Sequence, residues 1–174
     1  NFNGEQLLRE FIPSIIEALH FSAIDYEFIV VDDRSTDQSV HFLKEQFPFI
    51  IVIENKTNRG FSYSCNRGIE TATKDLVFLI NSDVQLSVNY FENQFQYFDN
   101  SDTFGVMGQI QNFQSLKTED YARFPRFKGV KLKATKFYHS TTPSETVYTT
   151  YLSGANALVS TQKLIPLYKF LRIK

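Results

Sequence analysis

Residues 75–83 read Asp-Leu-Val-Phe-Leu-Ile-Asn-Ser-Asp, and this stretch decides the predicted fold. The run from Leu76 to Ile80 is apolar without alternation, which is typical of a strand covered on both faces in a parallel sheet. Three small polar residues follow it: Asn81, Ser82 and Asp83. Open α/β sheets bind ligands beyond the carboxyl ends of their strands, so this turn is a candidate site. The alternative is a turn that only caps the next helix.

The composition is typical of one globular domain, with 43% hydrophobic and 21% charged residues among 174. A formal net charge of -1 gives no bulk attraction to nucleic acid, and we expect no nucleic-acid partner. Cys65 is the single cysteine, which excludes an internal disulfide framework and favours a reducing compartment. No apolar run approaches the ~20 residues of a membrane-spanning helix. We therefore expect no membrane span in this chain and a cytoplasmic protein, or one peripheral at the inner face of the membrane.

Strand and helix patterns alternate on both sides of the opening stretch. Strands are predicted over residues 26–31 and 49–53, and helices over residues 35–47 and 61–73. Ser35 and Gln38 form a capping-box pattern for the first of these helices. Apolar residues at helical spacing over residues 7–19 predict an earlier helix, broken at Pro13 or beginning there. Short connections in this order predict a right-handed βαβ sheet.

The second half of the chain has weaker patterns. They predict a helix over residues 88–98, strands over 104–110, 147–151 and 157–159, and a helix over 161–170. Between them, residues 111–140 interleave Lys and Arg with Phe and Tyr. Such a stretch suits single-stranded nucleic acid, a mobile flap over an anionic ligand, or a solvated loop without a role. The last two interpretations are preferred, because the rest of the chain has no basic excess.

Polar features follow several predicted strands and meet at one edge of the sheet. Asp32 and Asp33 end one strand, Asn58-Arg59-Gly60 opens a helix, Asn81 and Asp83 end the central strand, and Gly154-Ala155-Asn156 lies far downstream. Carboxylates at two strand ends share a cleft at low cost only when a cation or hydrogen-bond donors lie between them. A nucleoside diphosphate with a divalent metal satisfies this requirement.

The same residues resemble motifs of a known family. Residues 30–37, Val-Val-Asp-Asp-Arg-Ser-Thr-Asp, are similar to the Asp-Asp-x-Ser-x-Asp signature of family 2 glycosyltransferases, inverting enzymes with the GT-A fold. Residues 1–4 resemble their loop after the first strand, and residues 58–68 the stretch that ends in their next helix. Residues 79–84 look like their Asp-x-Asp metal motif, and residues 153–155 like their Gly-Ala turn. The resemblance runs from residue 1 to about 165, with the motifs in order.

The resemblance implies a fold, a reaction and roles for these residues. The fold is α/β, a GT-A (Rossmann-like) mostly parallel sheet flanked by helices. The activity is metal-dependent sugar transfer with inversion, from a UDP-, GDP- or dTDP-linked donor to a saccharide, lipid-linked or protein acceptor, as in cell-wall or polysaccharide biosynthesis. The implied sites are nucleotide-binding Asp32, Asp33, Asn58, Arg59, Gly60 and Asn81; Asp83 for Mn²⁺ or Mg²⁺; and Gly154, Ala155 and Asn156 on the sugar and acceptor side.

Two departures from the family pattern qualify these expectations. Asn81 replaces the first acid of the metal motif, which leaves Asp83 as the expected direct ligand. The family's catalytic Asp or Glu follows the Gly-Ala turn and a helix, whereas this sequence has no acid after Glu145. We therefore expect the base beyond Lys174, and residues 1–174 to form a single domain that lacks the first strand and the acceptor and base region. Such a chain is expected to bind donor without transferring sugar.

Two other functions fit parts of the sequence. A receiver-type signalling domain also has an acidic pair after one strand and a phosphorylated Asp after another, here Asp32-Asp33 and Asp83. That scheme leaves Asn58-Arg59-Gly60 and residues 111–160 unexplained. The second alternative is a homologue that binds nucleotide and transfers nothing.

Overall fold

The computed structural model describes residues 1–112, 115, 117–120, 122–138 and 148–170. Its helices are α1 (Glu5–Phe21), α2 (Ser39–Gln46), α3 (Phe61–Thr71), a 3₁₀ helix (Phe95–Asp99) and α4 (Thr161–Phe170). Its strands are β1 (Ile29–Asp32), β2 (Ile51–Glu54), β3 (Leu76–Ile80), β4 (Gly105–Met107), β5 (Ile110–Gln111), β6 (Thr118–Asp120), β7 (Ala122–Lys128), β8 (Lys131–Tyr138) and β9 (Asn156–Ser160). None of the described helices is long and apolar enough to cross a membrane.

The strands pair in both directions. β1 and β2 are parallel and in register from Ile29 opposite Ile51. β9 lies between β3 and β4 and runs antiparallel to both. β5 pairs with β6, and β7 with β8, again antiparallel. The predicted α/β class is confirmed, with more antiparallel pairing in the described residues than the sequence indicated.

Helices cover both faces of β1, because successive side chains of a strand point to opposite sides. Val30 belongs to a buried cluster with residues of α1 and α2, including Leu8 and Leu43. On the other face, a Cβ placed on Gly68 of α3 would lie 3.4 Å from the Val31 Cγ2 atom. The absence of a side chain at Gly68 therefore lets α3 approach the sheet closely.

Helix α1 continues through Pro13, so the predicted break there is wrong. Proline inside a helix removes one backbone hydrogen bond and costs about 3 kcal/mol. The helix buries Leu8, Ile12, Ile15 and Ala18 on both sides of the proline. Burying a side chain of this size contributes about 1.5–3 kcal/mol, so the packing of the whole helix outweighs the proline.

Strand β3 has the predicted bounds but not the predicted burial. All five of its residues are half-buried rather than enclosed. β9 pairs with one edge of β3, and residues 76–80 also line an open cavity. The strand is therefore covered less completely than its uniform apolar sequence predicts.

Four local predictions differ from the structure. α2 begins at Ser39 with Gln38 as its N-cap, because the N–H and hydroxyl of Ser35 both donate to Asp32. Residues 88–94 form turns before the 3₁₀ helix, where packing of the Phe91 ring 5.1 Å from that of Phe78 replaces helical regularity. Residues 148–151 are not in a strand, and residue 147 lies outside the described residues. The predicted strand over 104–110 is divided into β4 and β5.

The basic and aromatic stretch contains strands rather than a loop. β7 and β8 form a hairpin whose register runs from Ala122 opposite Tyr138 to Lys128 opposite Lys131. Gly129 supplies the positive φ of +61° that a two-residue hairpin turn needs. The solvated-loop prediction is therefore wrong for residues 122–138, whereas a flap over an anionic ligand stays a prediction. Residues 113, 114, 116, 121, 139 and 140 lie outside the described residues.

Candidate functional site

An open cavity of about 800 Å³ lies between β1 and β3, within the size range of ligand pockets. Most of its wall is apolar, and a polar end lies at the carboxyl ends of the two strands. Five predicted site residues line that end: Asp33, Asn58, Gly60, Asn81 and Asp83. The structure therefore brings together the polar features that follow β1, β2 and β3.

Asp32 ends β1 and is 2% exposed. One carboxylate oxygen accepts hydrogen bonds from Asn1 Nδ2 at 2.8 Å and Ser35 Oγ at 2.6 Å. The other oxygen accepts from the Ser35 N–H at 2.9 Å. Asp32 therefore holds the first residue of the chain against the turn after β1, and its predicted contact with nucleotide stays a prediction.

Asp37 extends this connection to two helices. Its carboxylate accepts from the N–H of Glu5 at the start of α1 and from the N–H of Ser39 at the start of α2, both at 3.0 Å. Negative charge at a helix N-terminus is favourable. Burial opposes ionisation of Asp37, but the hydrogen bonds from Ser39 and Glu5 outweigh it and lower the pKa of the carboxyl group.

Asp33 is 5% exposed and connects β1 to the loop before α3. Its carboxylate accepts from Asn55 Nδ2 at 2.7 Å, from the Arg59 N–H at 2.9 and 3.1 Å, and from the Gly60 N–H at 2.6 Å. Burial acts to raise the pKa of Asp33, but the hydrogen bonds from Arg59, Asn55 and Gly60 outweigh it and lower that pKa. The group is therefore ionised at neutral pH.

Asn55 is a site residue that the sequence analysis missed. It is 3% exposed, donates to Asp33 and to Ser64 Oγ at 3.0 Å, and accepts from Arg67 at 2.6 Å through its side-chain oxygen. This amide therefore connects the end of β1, the end of β2 and α3. The available signal was its position directly after β2, where a polar residue meets the same sheet edge as Asp33.

The loop after β2 presents its residues in different directions. Asn58 and Gly60 line the cavity, whereas the Arg59 guanidinium lies over the Tyr63 ring, 4.7 Å from its centroid. Gly60 has φ +83° and ψ 175°, a conformation that is essentially restricted to glycine. This backbone conformation turns the Gly60 N–H towards Asp33.

Asn81 and Asp83 each bring to the cavity a polar group that has no partner among the described residues. The Asn81 side-chain oxygen is buried and accepts no hydrogen bond from the described residues. The Asp83 carboxylate is exposed, and no described residue binds it. A buried oxygen without a donor is costly in water-excluded surroundings, so this end of the cavity suits a cation or a hydrogen-bond donor.

The downstream turn reaches the same end of the sheet. The Ala155 carbonyl accepts the Asn81 N–H at 3.3 Å, and Gly154 lies beside the Phe61 ring at the start of α3. Asn156 differs, since it is 2% exposed and its Nδ2 donates to the Gly108 carbonyl at 3.0 Å. Gly154 and Ala155 therefore border the candidate site, while Asn156 lies in the sheet beneath it.

The donor set was tested against the divalent metal that the resemblance implies. No group of three or more His, Cys, Asp and Glu side chains among the described residues is arranged to hold a metal ion. Mg²⁺ and Mn²⁺ accept a few carboxylate or amide oxygens and complete their coordination with phosphate oxygens and water. The exposed Asp83 carboxylate and the unpartnered Asn81 oxygen fit that requirement.

Comparison with known proteins identifies the family. The family model for glycosyl transferase family 2 matches residues 1–164. An uncharacterized glycosyltransferase of Nostoc sp. is 31% identical over 113 residues, which cover 63% of this chain and 34% of that protein.

Solved structures agree in fold. TarS 1-349 of S. aureus with UDP-GlcNAc has a TM-score of 0.57 at 19% identity, covering 69% of this chain and 35% of that one. A mannosyltransferase of Pyrobaculum calidifontis with GDP-Man and Mn²⁺ has a TM-score of 0.53 at 21% identity, covering 67% and 35%. The chain thus spans about a third of each of these proteins, and the likenesses confirm the GT-A fold and exclude the receiver-type alternative. Because the family model covers nearly its whole length, the chain belongs to glycosyl transferase family 2.

Proposed function

We propose that this chain carries the donor site of an inverting, metal-dependent glycosyltransferase that uses a nucleoside-diphosphate sugar. One observation carries the proposal: Asp83 and the unpartnered Asn81 oxygen lie at the polar end of a cavity that Asp33, Asn58 and Gly60 also line. The resemblance and the solved complexes with UDP-GlcNAc and GDP-Man support UDP- or GDP-linked donors, with dTDP as the third candidate.

The proposed roles follow from where each side chain lies. Asp33 holds the 58–60 loop so that Asn58 faces the nucleoside, and Asp32 holds residues 1–4 at the rim. Asp83 and Asn81 would hold a divalent cation through their side-chain oxygen atoms. That cation would supply Lewis-acid stabilisation of the leaving nucleotide.

The acceptor side of the proposed site includes Gly154 and Ala155. Gly154 and Ala155 border the site, because the Ala155 carbonyl accepts the Asn81 N–H and a Cβ placed on Gly154 would lie 3.6 Å from the Phe61 ring. An acceptor hydroxyl of a saccharide, lipid-linked or protein acceptor would approach there and attack the anomeric carbon opposite the nucleotide. Attack from the face opposite the leaving nucleotide would invert the anomeric configuration. The proton of the acceptor hydroxyl would pass to a general base, a role that is assigned to no described residue.

The test measures Mn²⁺-dependent nucleotide binding in the parent chain and in Asp83→Ala. Calorimetry with UDP, GDP and dTDP identifies which nucleotide the chain prefers. Asp83→Ala is expected to weaken Mn²⁺-dependent nucleotide binding by about 1–3 kcal/mol, as for a lost charged partner. Asp102→Ala is the matched control, because Asp102 is also exposed and does not line the cavity. Equal affinity in Asp83→Ala and the parent would refute the metal role.

The second candidate is a homologue that binds nucleotide and transfers no sugar. Asp32 and Asp33 favour it, because both carboxylates already accept hydrogen bonds within the protein and neither is assigned as a catalytic base. Assays of donor hydrolysis and of sugar transfer separate the two. Binding with Mn²⁺ dependence but no turnover of UDP-, GDP- or dTDP-sugars would favour the non-catalytic homologue.

A further inference from the structure

Positive charge is concentrated in one hairpin of this chain. The β7–β8 hairpin, residues 122–138, contains six Lys and Arg residues and no Asp or Glu. Outside it lie all 19 Asp and Glu residues but only 12 of the 18 Lys and Arg. The rest of the chain is therefore net acidic, and the overall charge of -1 conceals the difference. A cationic patch on an acidic body orients the molecule towards an anionic partner.

The register of the hairpin gathers four of its cations on one face. Lys128 lies opposite Lys131, and Arg126 lies opposite Lys133. Pairs that are two residues apart along an antiparallel ladder share a face, so these four residues form one basic face. Like charges directly opposite each other destabilise a hairpin, and the hairpin sequence contains no acid to compensate for them. An anionic partner removes that cost.

The tip of the hairpin exposes apolar side chains beside the basic face. Phe127 is 77% exposed and Val130 is 99% exposed. Val130 follows Gly129 in the turn, a place where Gly, Asn, Asp and Ser are the usual residues. A valine side chain gains nothing from full contact with water. Phe127 and Val130 therefore suit an apolar environment rather than solvent.

The apolar tip and the basic face lie at successive depths along the hairpin. Val130 is outermost, in the turn. The two cationic pairs follow on the strands and are two residues, or about 7 Å, apart. The polar headgroup layer of one bilayer leaflet is about 5–7 Å thick and covers an apolar core. A bilayer of anionic lipids therefore offers hydrocarbon to the tip and phosphate to the cations in the same order.

Two other anionic partners fit the hairpin less well. Single-stranded nucleic acid binds by stacking its bases on aromatic rings, whereas the most exposed apolar residue of the tip is Val130, which has no ring. A nucleotide in the donor site is also a poorer candidate, because none of the described hairpin residues lines the cavity. An anionic bilayer is the partner that accounts for both the cations and the exposed valine.

The base of the hairpin is fixed to the segment that leads into the Gly-Ala turn at the border of the candidate site. The Arg123 N–H donates to Thr149 Oγ1, and the Arg123 carbonyl accepts the Thr150 N–H, both at 3.0 Å. The Arg123 guanidinium lies over the Tyr151 ring, 4.2 Å from its centroid. A hairpin tip held on a surface therefore also fixes the position of this segment.

We infer that the tip of the β7–β8 hairpin is a docking surface for a membrane of anionic lipids, with Phe127 and Val130 in the interfacial layer and the basic face on lipid phosphates. The acidic remainder of the chain is repelled by the same lipids and faces away from them. The consequence that docking turns the acceptor side of the cavity towards the membrane rests on the proposed function, whereas docking itself does not.

The experiment measures co-flotation of the chain with two kinds of vesicle: phosphatidylcholine alone, and phosphatidylcholine with about 30% phosphatidylglycerol. We expect binding to the anionic vesicles and none to the neutral ones. Each Lys or Arg beside an anionic bilayer strengthens binding about fivefold, so the double variant Lys131→Gln, Lys133→Gln should bind at least about tenfold more weakly. The double variant Lys44→Gln, Lys56→Gln removes the same charge at exposed positions outside the hairpin and should bind as the parent does.

The apolar tip is tested in the same assay. The double variant Phe127→Ser, Val130→Ser should weaken binding to the anionic vesicles at least about tenfold, because it removes the side chains that enter the interfacial layer. Phe21→Ser is the matched control, since Phe21 is also exposed and lies on α1. This control should bind the vesicles as the parent does.

A second measurement locates the tip directly. The chain contains no tryptophan, so Phe127→Trp introduces a single fluorophore at the tip, and Phe21→Trp introduces one at the control position. Tryptophan is favourable at the membrane interface. We expect the emission of Phe127→Trp to shift to shorter wavelength with anionic vesicles and to be quenched by brominated lipid. The emission of Phe21→Trp should not change.

Several results would overturn the inference. They are an absence of binding to the anionic vesicles, equal binding by the hairpin variants and their controls, and an unshifted Phe127→Trp spectrum. A response of Phe127→Trp to oligo-dT or to Mn²⁺-UDP, without a response to vesicles, would overturn it in favour of nucleic acid or of a flap over nucleotide. Vesicle binding is measured without nucleotide or sugar, so its failure is distinct from failure of the proposed function.

Discussion

Replacing Asp33 with Asn tests whether this carboxylate holds the 58–60 loop against the sheet. Asparagine keeps one acceptor oxygen and places an NH₂ group where Oδ2 receives the Gly60 N–H at 2.6 Å. One charge-assisted hydrogen bond is then lost, and two donors face each other. A hydrogen bond to a charged group contributes about 1.5–3 kcal/mol, and the remaining bonds to Asn55 and Arg59 lose their charge assistance. We expect a destabilisation of about 2–4 kcal/mol.

The assay is urea unfolding followed by circular dichroism at pH 7, with thermal unfolding beside it. At 2–4 °C per kcal/mol for a chain of this size, the melting temperature should fall by about 5–15 °C. Asp83→Asn is the matched control, because Asp83 is exposed and no described residue binds it. A free energy of unfolding within about 0.5 kcal/mol of the parent would refute the role assigned to Asp33.

The pH dependence of the free energy of unfolding provides a second test of the role of Asp33. The pKa of Asp33 is lowered in the folded protein, so its ionisation stabilises the fold above the unfolded pKa of about 3.9. That stabilisation is lost as the pH falls through the folded pKa. Asp33→Asn has no such group, so the difference in stability between parent and variant should narrow below about pH 4. A constant difference from pH 7 to pH 3 would contradict the assignment.

Two further predictions concern the backbone. Pro13→Ala restores the missing hydrogen bond inside α1 and should raise the free energy of unfolding by about 1–2 kcal/mol, after allowance for the more flexible unfolded chain; unchanged urea unfolding would show that the helix tolerates Pro13 without cost. Gly60→Ala has free space around the added carbon but φ +83°, so it should destabilise by about 1–3 kcal/mol through backbone strain. Gly154→Ala, with ordinary contacts and no positive φ, is its control and should stay within about 0.5 kcal/mol.

Local patterns were sufficient for the elements that position the site. Uniform apolar runs with polar ends identified β1, β2 and β3, and the Gly60 boundary identified α3. The pairing of distant strands was not predictable in this way. Nothing in the sequence of β3 indicates that it pairs with β9, which lies about 80 residues later. The hairpin of β7 and β8 was missed for another reason. The many Lys and Arg residues of this stretch indicated a loop, although Gly129 marks a two-residue turn between two segments of strand pattern.

The site residues that directly follow strands were predicted from the sequence, whereas one that depends on strand pairing was not. Asp33, Asn81 and Asp83 follow strands, and strand ends meet at one edge of a sheet, so their sequence positions indicated their convergence. Asn55 had no local signal beyond its place after β2. Its importance comes from a 2.7 Å contact with Asp33, which lies 22 residues earlier. The parallel register of β1 and β2, with Asp32 opposite Glu54, brings the two residues together, and the local sequence does not reveal that register.

The distribution of hydrogen bonds separates the three acids that the family motifs bring to this edge. A carboxylate offers about four lone-pair positions; Asp33 receives four contacts from three donors, and Asp32 receives three hydrogen bonds. Their negative charge is therefore compensated by N–H and O–H dipoles inside the protein before any ligand arrives. Asp83 has no such compensation among the described residues. In the proposed function an anionic diphosphate is repelled mainly by Asp83, so a cation is needed at that carboxylate rather than at the pair that follows β1.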